Sequence, residues 1–465
     1  MAGYMMDIEY MARALAQQAG QVVRAHPNCR LATVRLSRSL RESWLPSALV
    51  RSGVPELEFV FVKPAARFGL MAWGRAATAR GAGADRVDEV RAAVRETAQV
   101  TAVACDAQPR WLGGVAFTAG PHGHPWQEWP DAELRLPRWL LEWSGDAVRV
   151  QLTLSATEAV QPDLERRLVE EARRWREDNA AQILVAGGTG SRLWPGGQRE
   201  RADWTQAVSQ TAADIRAGHY DKAVLARSVR VTGGGVSLAE VIGRLVTLFP
   251  EAHVFAMRQG SQWFVGATPE RLVSVSGGGV NMDGLAGSTA RGRTEEEDER
   301  LAQELRASEK NRAEHRAVVD WIVETIEGVV TDVTYPDHPQ IRRLANVQHL
   351  YTPIRGRLAK SASVFDLLAR LHPTPAVAGV PRARALEVIA RRETFYRGWY
   401  AGPIGWATPN GDGEFAVALR SGLLSASESV LFAGAGIMGD SHPDSEWAET
   451  IWKFEPMLQA LGVSS

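Results

Sequence analysis

Residues 433–454 read AGAGIMGDSHPDSEWAETIWKF. The stretch opens on small residues, among which Gly434 and Gly436 let backbone approach a ligand closely and make a positive φ cheap. Asp440, Ser441, His442 and Pro443 read as a turn, and Asp444 or Ser445 is expected to cap the helix that follows. Glu446, Glu449 and Lys453 stand at i, i+3 and i+7 and project from one face, whereas Trp447, Ile451 and Phe454 fall on another that can pack. Carboxylates at a helix start are commonly dipole complements on a solvated surface. Glycine backbone beside them favours the other reading, a hard-cation site that faces a small anionic ligand.

Around this stretch lie 465 residues, 45% hydrophobic and 23% charged, the composition of a globular protein with material for a sizeable core. A formal net charge of −1 gives no global electrostatic case for nucleic acid or an anionic membrane. The cysteines, Cys29 and Cys105, lack metal-ligand spacing and suit a reducing compartment. The N-terminus carries early acids in place of a basic segment followed by an apolar one, and no run approaches about eighteen uninterrupted apolar residues. A soluble, cytoplasmic protein is the expectation.

Working back from the decisive stretch, EFAVALRSGLL (414–424) and FYRGWYAGPIGW (395–406) read as an antiparallel pair ending in Arg420. Strand alternation would set Arg420 beside Ala416 and Ala418, whose small side chains leave room for a ligand that the guanidinium clamps. LHPTPAVAGVPRARA (371–385) is a proline-punctuated loop leading to a helix, and VQHLYTPIRGRL (347–358) is a strand containing His349. RTEEEDERLAQELRASEKNRAEHRAVVDWIVETI reads as one long helical segment whose charges are mostly a solvated face. Glu314 differs, because it shares a stripe with Asn311, Val318 and Ile322 and should point inward. A shared cation with Glu446 would compensate it. In DGLAGSTARG (283–292), backbone amides and the hydroxyls of Ser288 and Thr289 could bind an anion. HVFAM, RQGSQ and WFVGA (253–267) form a hairpin leading to Glu270, placed either as a fixed acid or on a surface turn. DKAVLARSVRV (221–231) is a strand with Lys222, Val224 and Ala226 on one face. Its lysine either snorkels from an edge or, if buried, becomes a usable general base. The helix at 203–217 stops at Gly218.

The first 180 residues carry less information. Strands are expected at 57–65 and 148–156 and helices at 84–100 and 162–180, the latter with Leu164, Leu168 and Ala172 on one stripe. Trp111, Trp126, Trp129, Trp139 and Trp143 read as core. AGGTGSRLWP (186–195) is similar to the phosphate loop of sugar nucleotidyltransferases, but it follows some 185 residues and lacks the Pro-Lys expected after it. Its glycines equally describe a linker between two helices, which divides the chain at 1–195 and 196–465.

Taken together, KAVLAR, GATPERL, LAGSTARG, EKNRAEH, VQHLYT, LHPTPAVAG, YRGWYAGPIG, FAVALRS and DSEWAETIWK resemble the chorismate-utilising enzymes. These are the isochorismate, salicylate, anthranilate and aminodeoxychorismate synthases, and the motifs run in family order over about residues 200–460. The resemblance implies an α+β fold with a large, mostly antiparallel two-sheet core, outer helices and a buried site between the sheets. It implies Mg²⁺ at Glu314, Glu446 and Glu449, holding the ring carboxylate of chorismate. It further implies carboxylate-binding groups at Lys453, Gly434 and Gly436, a grip on the enolpyruvyl carboxylate by Tyr400 and Arg420, and His349 and Ser288 beside the ring. Lys222 matches the lysine that activates water and Glu270 the acid that protonates the departing hydroxyl. Asn311 stands where several relatives carry an acid.

Within this family, Lys222 argues against anthranilate synthases, which use ammonia, and so against an obligate glutaminase partner. Ala376 and Val377 stand where lyase-type members carry a threonine, as in isochorismate synthases. The expected activity is the isomerisation of chorismate to isochorismate, with salicylate synthase as the alternative and a nucleotide-binding protein as a remote one. The route served, menaquinone or siderophore biosynthesis, is left open.

Overall fold

Side-chain alternation along the long strands sorts the apolar residues into two cores. In the strand Phe68–Gly81, Leu70 and Ala72 enter one buried cluster and Met71 and Trp73 another. Phe255 and Met257 of His253–Gln259 likewise join the first, and Val254 and Ala256 the second. The structure, a computed structural model, describes residues 8–39, 57–104, 106–120, 123–174, 183–194, 197–343 and 347–463. Within these, 21 strands are hydrogen-bonded into one continuous network, and the paired strands are antiparallel except Leu31–Ser39 against Thr101–Val103. The α+β expectation holds, with a large antiparallel sheet and helices outside it.

Helices Leu238–Leu248 and Pro443–Leu461 cover the second core with Leu238, Val241, Ile242 and Leu245 from one and Phe454, Met457, Leu458 and Leu461 from the other. The expected strands appear as Leu57–Lys63 and Ala147–Ser155, and the expected helices as Arg86–Gln99 and Leu164–Arg174. All five tryptophans read as core are buried. Strands cross between the two ends of the chain: Phe61 pairs with Phe255 and Gly113 with Gly405. The chain division expected at 195/196, like Cys105 and the end of the 162–180 helix, lies outside the described residues.

Several boundaries differ from expectation. The C-terminal helix starts at Pro443 with His442 as its N-cap, not at Asp444 or Ser445, because proline's fixed φ suits the first helical position. Ile451 is exposed and does not pack with Trp447 and Phe454. The acidic segment is two helices, Glu295–Ala307 and Glu309–Thr325, separated at Ser308, whose hydroxyl accepts from the Asn311 amide. The helix before Gly218 begins earlier than expected, at Gln198. The pair near the C-terminus is confined to Pro403–Ala407 and Gly413–Val417, with residues 395–402 in turns. No helix among the described residues is long and apolar enough to cross a membrane.

Candidate active site

Two neighbouring strands form the floor of a cavity of about 130 Å³. Lys222 opens the strand Lys222–Thr232, which lies inside the sheet and pairs along most of its length with Glu428–Ile437, bringing Val224 opposite Gly436 and Ala226 opposite Gly434. Edge snorkelling is thereby excluded, and Lys222 is buried. Neither glycine has a positive φ; both sit in extended backbone, and what they contribute is space. A Cβ on Gly436 would stand 3.1 Å from Lys222 Cε, and one on Gly434 would stand 3.2 Å from the Tyr400 hydroxyl.

One wall comes from Gly279–Ala290 paired with Val347–Leu358. A bulge at Gly287, whose φ is +74°, breaks the register and turns Ser288 toward His349, with Oγ and Nδ1 2.7 Å apart. Burial, with Arg420 and Lys453 nearby, drives His349 down to about 3, so the imidazole is neutral. Its Nε2 has no hydrogen-bond partner among the described residues and is buried in the cavity wall. The anion loop expected over 283–292 is therefore mostly strand: Thr289 is absent from the cavity, and Arg291 is engaged by Asp298 at 2.7 Å.

Glu270 follows Pro269 at the end of the hairpin and is buried, not on a surface turn. Burial and the neighbouring charge of Asp283 push its carboxyl up to about 7 against the pull of Lys222, Arg420 and Lys453. Asp283 is itself held by Arg271 at 2.8 Å and Arg342 at 2.7 Å. Arg420 lines the cavity from a turn with φ +49°, not from a strand, so its expected alternation with Ala416 and Ala418 fails. The turn aims a guanidinium that has no hydrogen bond or ion pair to protein among the described residues. Tyr400, its hydroxyl pushed up to about 12 by burial, and Ala376 and Val377 complete this side.

Helices supply the acidic side. Glu314 reaches the cavity and accepts from Lys222 Nζ at 2.6 Å. Glu449 and Lys453 line it from the C-terminal helix and form an ion pair, with Lys453 also donating to the Gly434 carbonyl at 2.7 Å. Burial raises the Glu449 carboxyl, but Lys453, Arg420 and Lys222 bring it net below the ordinary value. Glu446, like Thr289, lies outside the cavity lining. It stands one turn toward the helix start, where burial and the charge of Glu449 raise its carboxyl. Lys310 and Asp440, at 2.7 Å, tie the two helix starts together on the outside.

Among the described residues no group of three His, Cys, Asp or Glu side chains converges on one point. Three carboxylates are the donor chemistry of a hard divalent cation, but Glu314 is engaged by Lys222 and Glu449 by Lys453, while Glu446 has no salt bridge among the described residues and faces the charge of Glu449. The glycine-rich stretch at 186–191 is spoken for. The Ala186, Gly187, Gly188 and Ser191 amides donate to the carbonyls of Ser425, Gly233, Leu461 and Gly188, so these four N–H groups are not free to cradle a phosphate.

A sequence profile described as chorismate binding enzyme matches residues 34–462. The chain belongs to the chorismate-binding enzymes. This chorismate-binding enzyme is 38% identical over 391 residues to the salicylate biosynthesis isochorismate synthase of Pseudomonas aeruginosa, an alignment covering 84% of this chain and 82% of that protein. It is 46% identical over 264 residues to isochorismate synthase MenF of Bacillus subtilis, covering 57% of this chain and 56% of that one. The structure of MenF, the menaquinone-specific isochorismate synthase from Escherichia coli, matches with a TM-score of 0.78 at 26% identity, over 96% of this chain and 99% of that one.

Sequence reasoning about this enzyme missed two interactions. The Lys222–Glu314 contact joins residues 92 positions apart, and no local pattern announces it. Arg397 and Glu393 were also passed over, although the i, i+4 spacing of opposite charges was a usable signal.

Proposed function

We propose that this enzyme is an isochorismate synthase, converting chorismate to isochorismate. The observation that carries the reading is the pairing of two opposite roles in one cavity: a buried lysine, and a carboxyl whose value near 7 leaves it a proton to give. Lys222, entering the step as the neutral amine, takes a proton from the water that adds at C2 of the ring. The double bonds shift, and Glu270 protonates the C4 hydroxyl, which departs as water, so the net change is an isomerisation. Arg420 and the Tyr400 hydroxyl hold the enolpyruvyl carboxylate, Lys453 the ring carboxylate, and neutral His349 offers Nε2 beside the ring. Glu314, Glu446 and Glu449 are the residues that would hold Mg²⁺, which when bound supplies a template and Lewis acid for a substrate carboxylate.

Free isochorismate is the expected product, because Ala376 and Val377 offer no hydroxyl with which to hold the folded side-chain pose that pyruvate release requires. The relatives named for menaquinone and salicylate biosynthesis support a place in one of those routes, and a cytoplasmic location goes with that reading. Incubation with chorismate and Mg²⁺, followed by chromatography, tests the reading. Isochorismate should appear, vanish with EDTA and return with Mg²⁺. A lactate-dehydrogenase-coupled assay should detect no pyruvate above background, and stoichiometric pyruvate with salicylate would reassign the chain to the salicylate synthases.

A further inference from the structure

Among the cationic side chains that line the cavity, Arg397 stands apart. Lys222, Arg420 and Lys453 are assigned to substrate or to proton transfer, whereas Arg397 and its partner Glu393 have side chains only 3% exposed each and are neutralised by one another. Every face of the guanidinium is occupied. Nε donates to Glu393 Oε2 at 2.9 Å, one terminal nitrogen to the Val377 carbonyl at 2.8 Å, and the other to the Val224 carbonyl at 2.7 Å. The guanidinium's central carbon lies over the Phe117 ring, 4.2 Å from the centroid. Glu393 uses a carboxylate oxygen to accept from the Ala226 amide at 2.8 Å, and the Arg397 carbonyl accepts from the Tyr400 amide at 2.9 Å.

These contacts extend the short pairing of Lys222 and Ala223 with Val380 and Gly379, and the Val224 amide's bond to the Ala378 carbonyl, to the loop itself and to the turn at Tyr400. Val224 and Ala226 belong to the strand that begins with Lys222, Val377 to the loop facing the substrate, and Tyr400 to the turn whose hydroxyl enters the cavity. The carbonyls of Val224 and Val377 would otherwise be buried without these donors, and planar guanidinium is the side chain that reaches both while keeping a bidentate carboxylate. We infer that Arg397, held by Glu393, is a positioning residue that fixes the Lys222 strand against the Ala376–Val377 loop and so sets the distance from the base to the far wall of the pocket. It touches no reacting atom.

The kinetic arm of the test rests on the proposed chorismate chemistry; an exchange arm does not. In Arg397→Lys, kcat should fall about a hundredfold while KM stays within about twofold, the signature of misplaced groups without a lost substrate contact. Glu393→Gln, the milder change, should cost about tenfold in kcat on the same pattern. Hydrogen exchange should speed up together in peptides covering 222–226 and 374–378, with the paired strands Gly279–Ala290 and Val347–Leu358 unchanged. A raised KM with kcat intact would make Arg397 a substrate ligand and overturn the inference. So would exchange that changes in only one of the two segments, or in neither. If Arg397→Lys does not fold, Glu393→Gln carries both arms. A wild-type chain inert toward chorismate would defeat the proposed function, and the exchange result would still decide the role of Arg397.

Discussion

Glu270 shows how much one carboxyl reveals when its surroundings are known. Its folded value, about 7, lies above the ordinary 4.5, so the folded protein holds this proton more tightly than the unfolded chain. The associated stability is fully present below about pH 4.5 and lost as pH rises through about 7. Glu270→Gln, uncharged throughout, should therefore melt at a higher temperature than the wild type at about pH 8 and at a similar one at about pH 4. The same substitution should abolish turnover, and wild-type kcat/KM should decline above about pH 7 as the acid loses its proton. Lys222→Ala should reduce turnover about a hundredfold or more in a product-formation assay, the usual range for loss of a general base. The place of these two residues, one opening a strand and the other just past the end of a hairpin, was legible in the sequence from the motifs around them; their roles belong to the proposed chemistry. The conformation of Arg420 was not legible. A positive φ in a non-glycine residue depends on the tertiary contacts that enforce it, and period-two alternation has no way to register it.

At the scale of elements, the division of the acidic segment at Ser308 is the instructive case. Strong helix formers run on both sides, so propensity predicts continuity through a single serine. Its hydroxyl instead accepts from the Asn311 backbone amide and from its side-chain amide, capping a second helix whose buried stripe is His315, Val318, Val319 and Ile322. Gly287 explains the placement: a Cβ there would stand 3.2 Å from Asn311, so the start of this helix rests directly on the bulged strand. Ser308→Ala should cost about 1 kcal/mol, measured as a lower denaturant midpoint at unchanged slope. A shared midpoint with wild type would mean that packing alone sets the helix start. Elsewhere the strands and their inward faces followed the apolar alternation, which is why the hairpin at 253–268 was legible to within a residue or two.

Across the whole molecule, the ends of the chain are fastened by a buried ionic knot. Lys63 reaches Glu414 at 2.6 Å and His253 reaches the same carboxylate at 3.1 Å, joining strands Leu57–Lys63, His253–Gln259 and Gly413–Val417. Burial works against the Glu414 charge, but His253 and Lys63 hold its carboxyl down to about 2. This contribution to stability is present above the ordinary value of about 4.5 and is lost as pH falls through about 2. Glu414→Gln leaves Lys63 without its counter-charge and should cost roughly 3–5 kcal/mol near neutral pH, read by chemical denaturation. Its penalty should shrink in acid, and an equal penalty at every pH would show that the charge is not what matters. Such a long-range arrangement was invisible in the sequence, where the three residues are separated by up to 351 positions.

The attachment of the reacting groups has a consequence for motion. Lys222 is part of a strand paired along its length, whereas Glu314 and Glu449 ride on helices whose starts are joined externally by the exposed Lys310–Asp440 pair. Displacing these helices would leave the strand pairing intact but would break the buried Lys222–Glu314 and Lys453–Gly434 contacts as well as the exposed, solvent-screened pair. The helices are thus pinned from inside by the side chains that line the cavity: a ligand that draws Lys222 or Lys453 away from these partners also loosens the hold on the helices carrying Glu314 and Glu449.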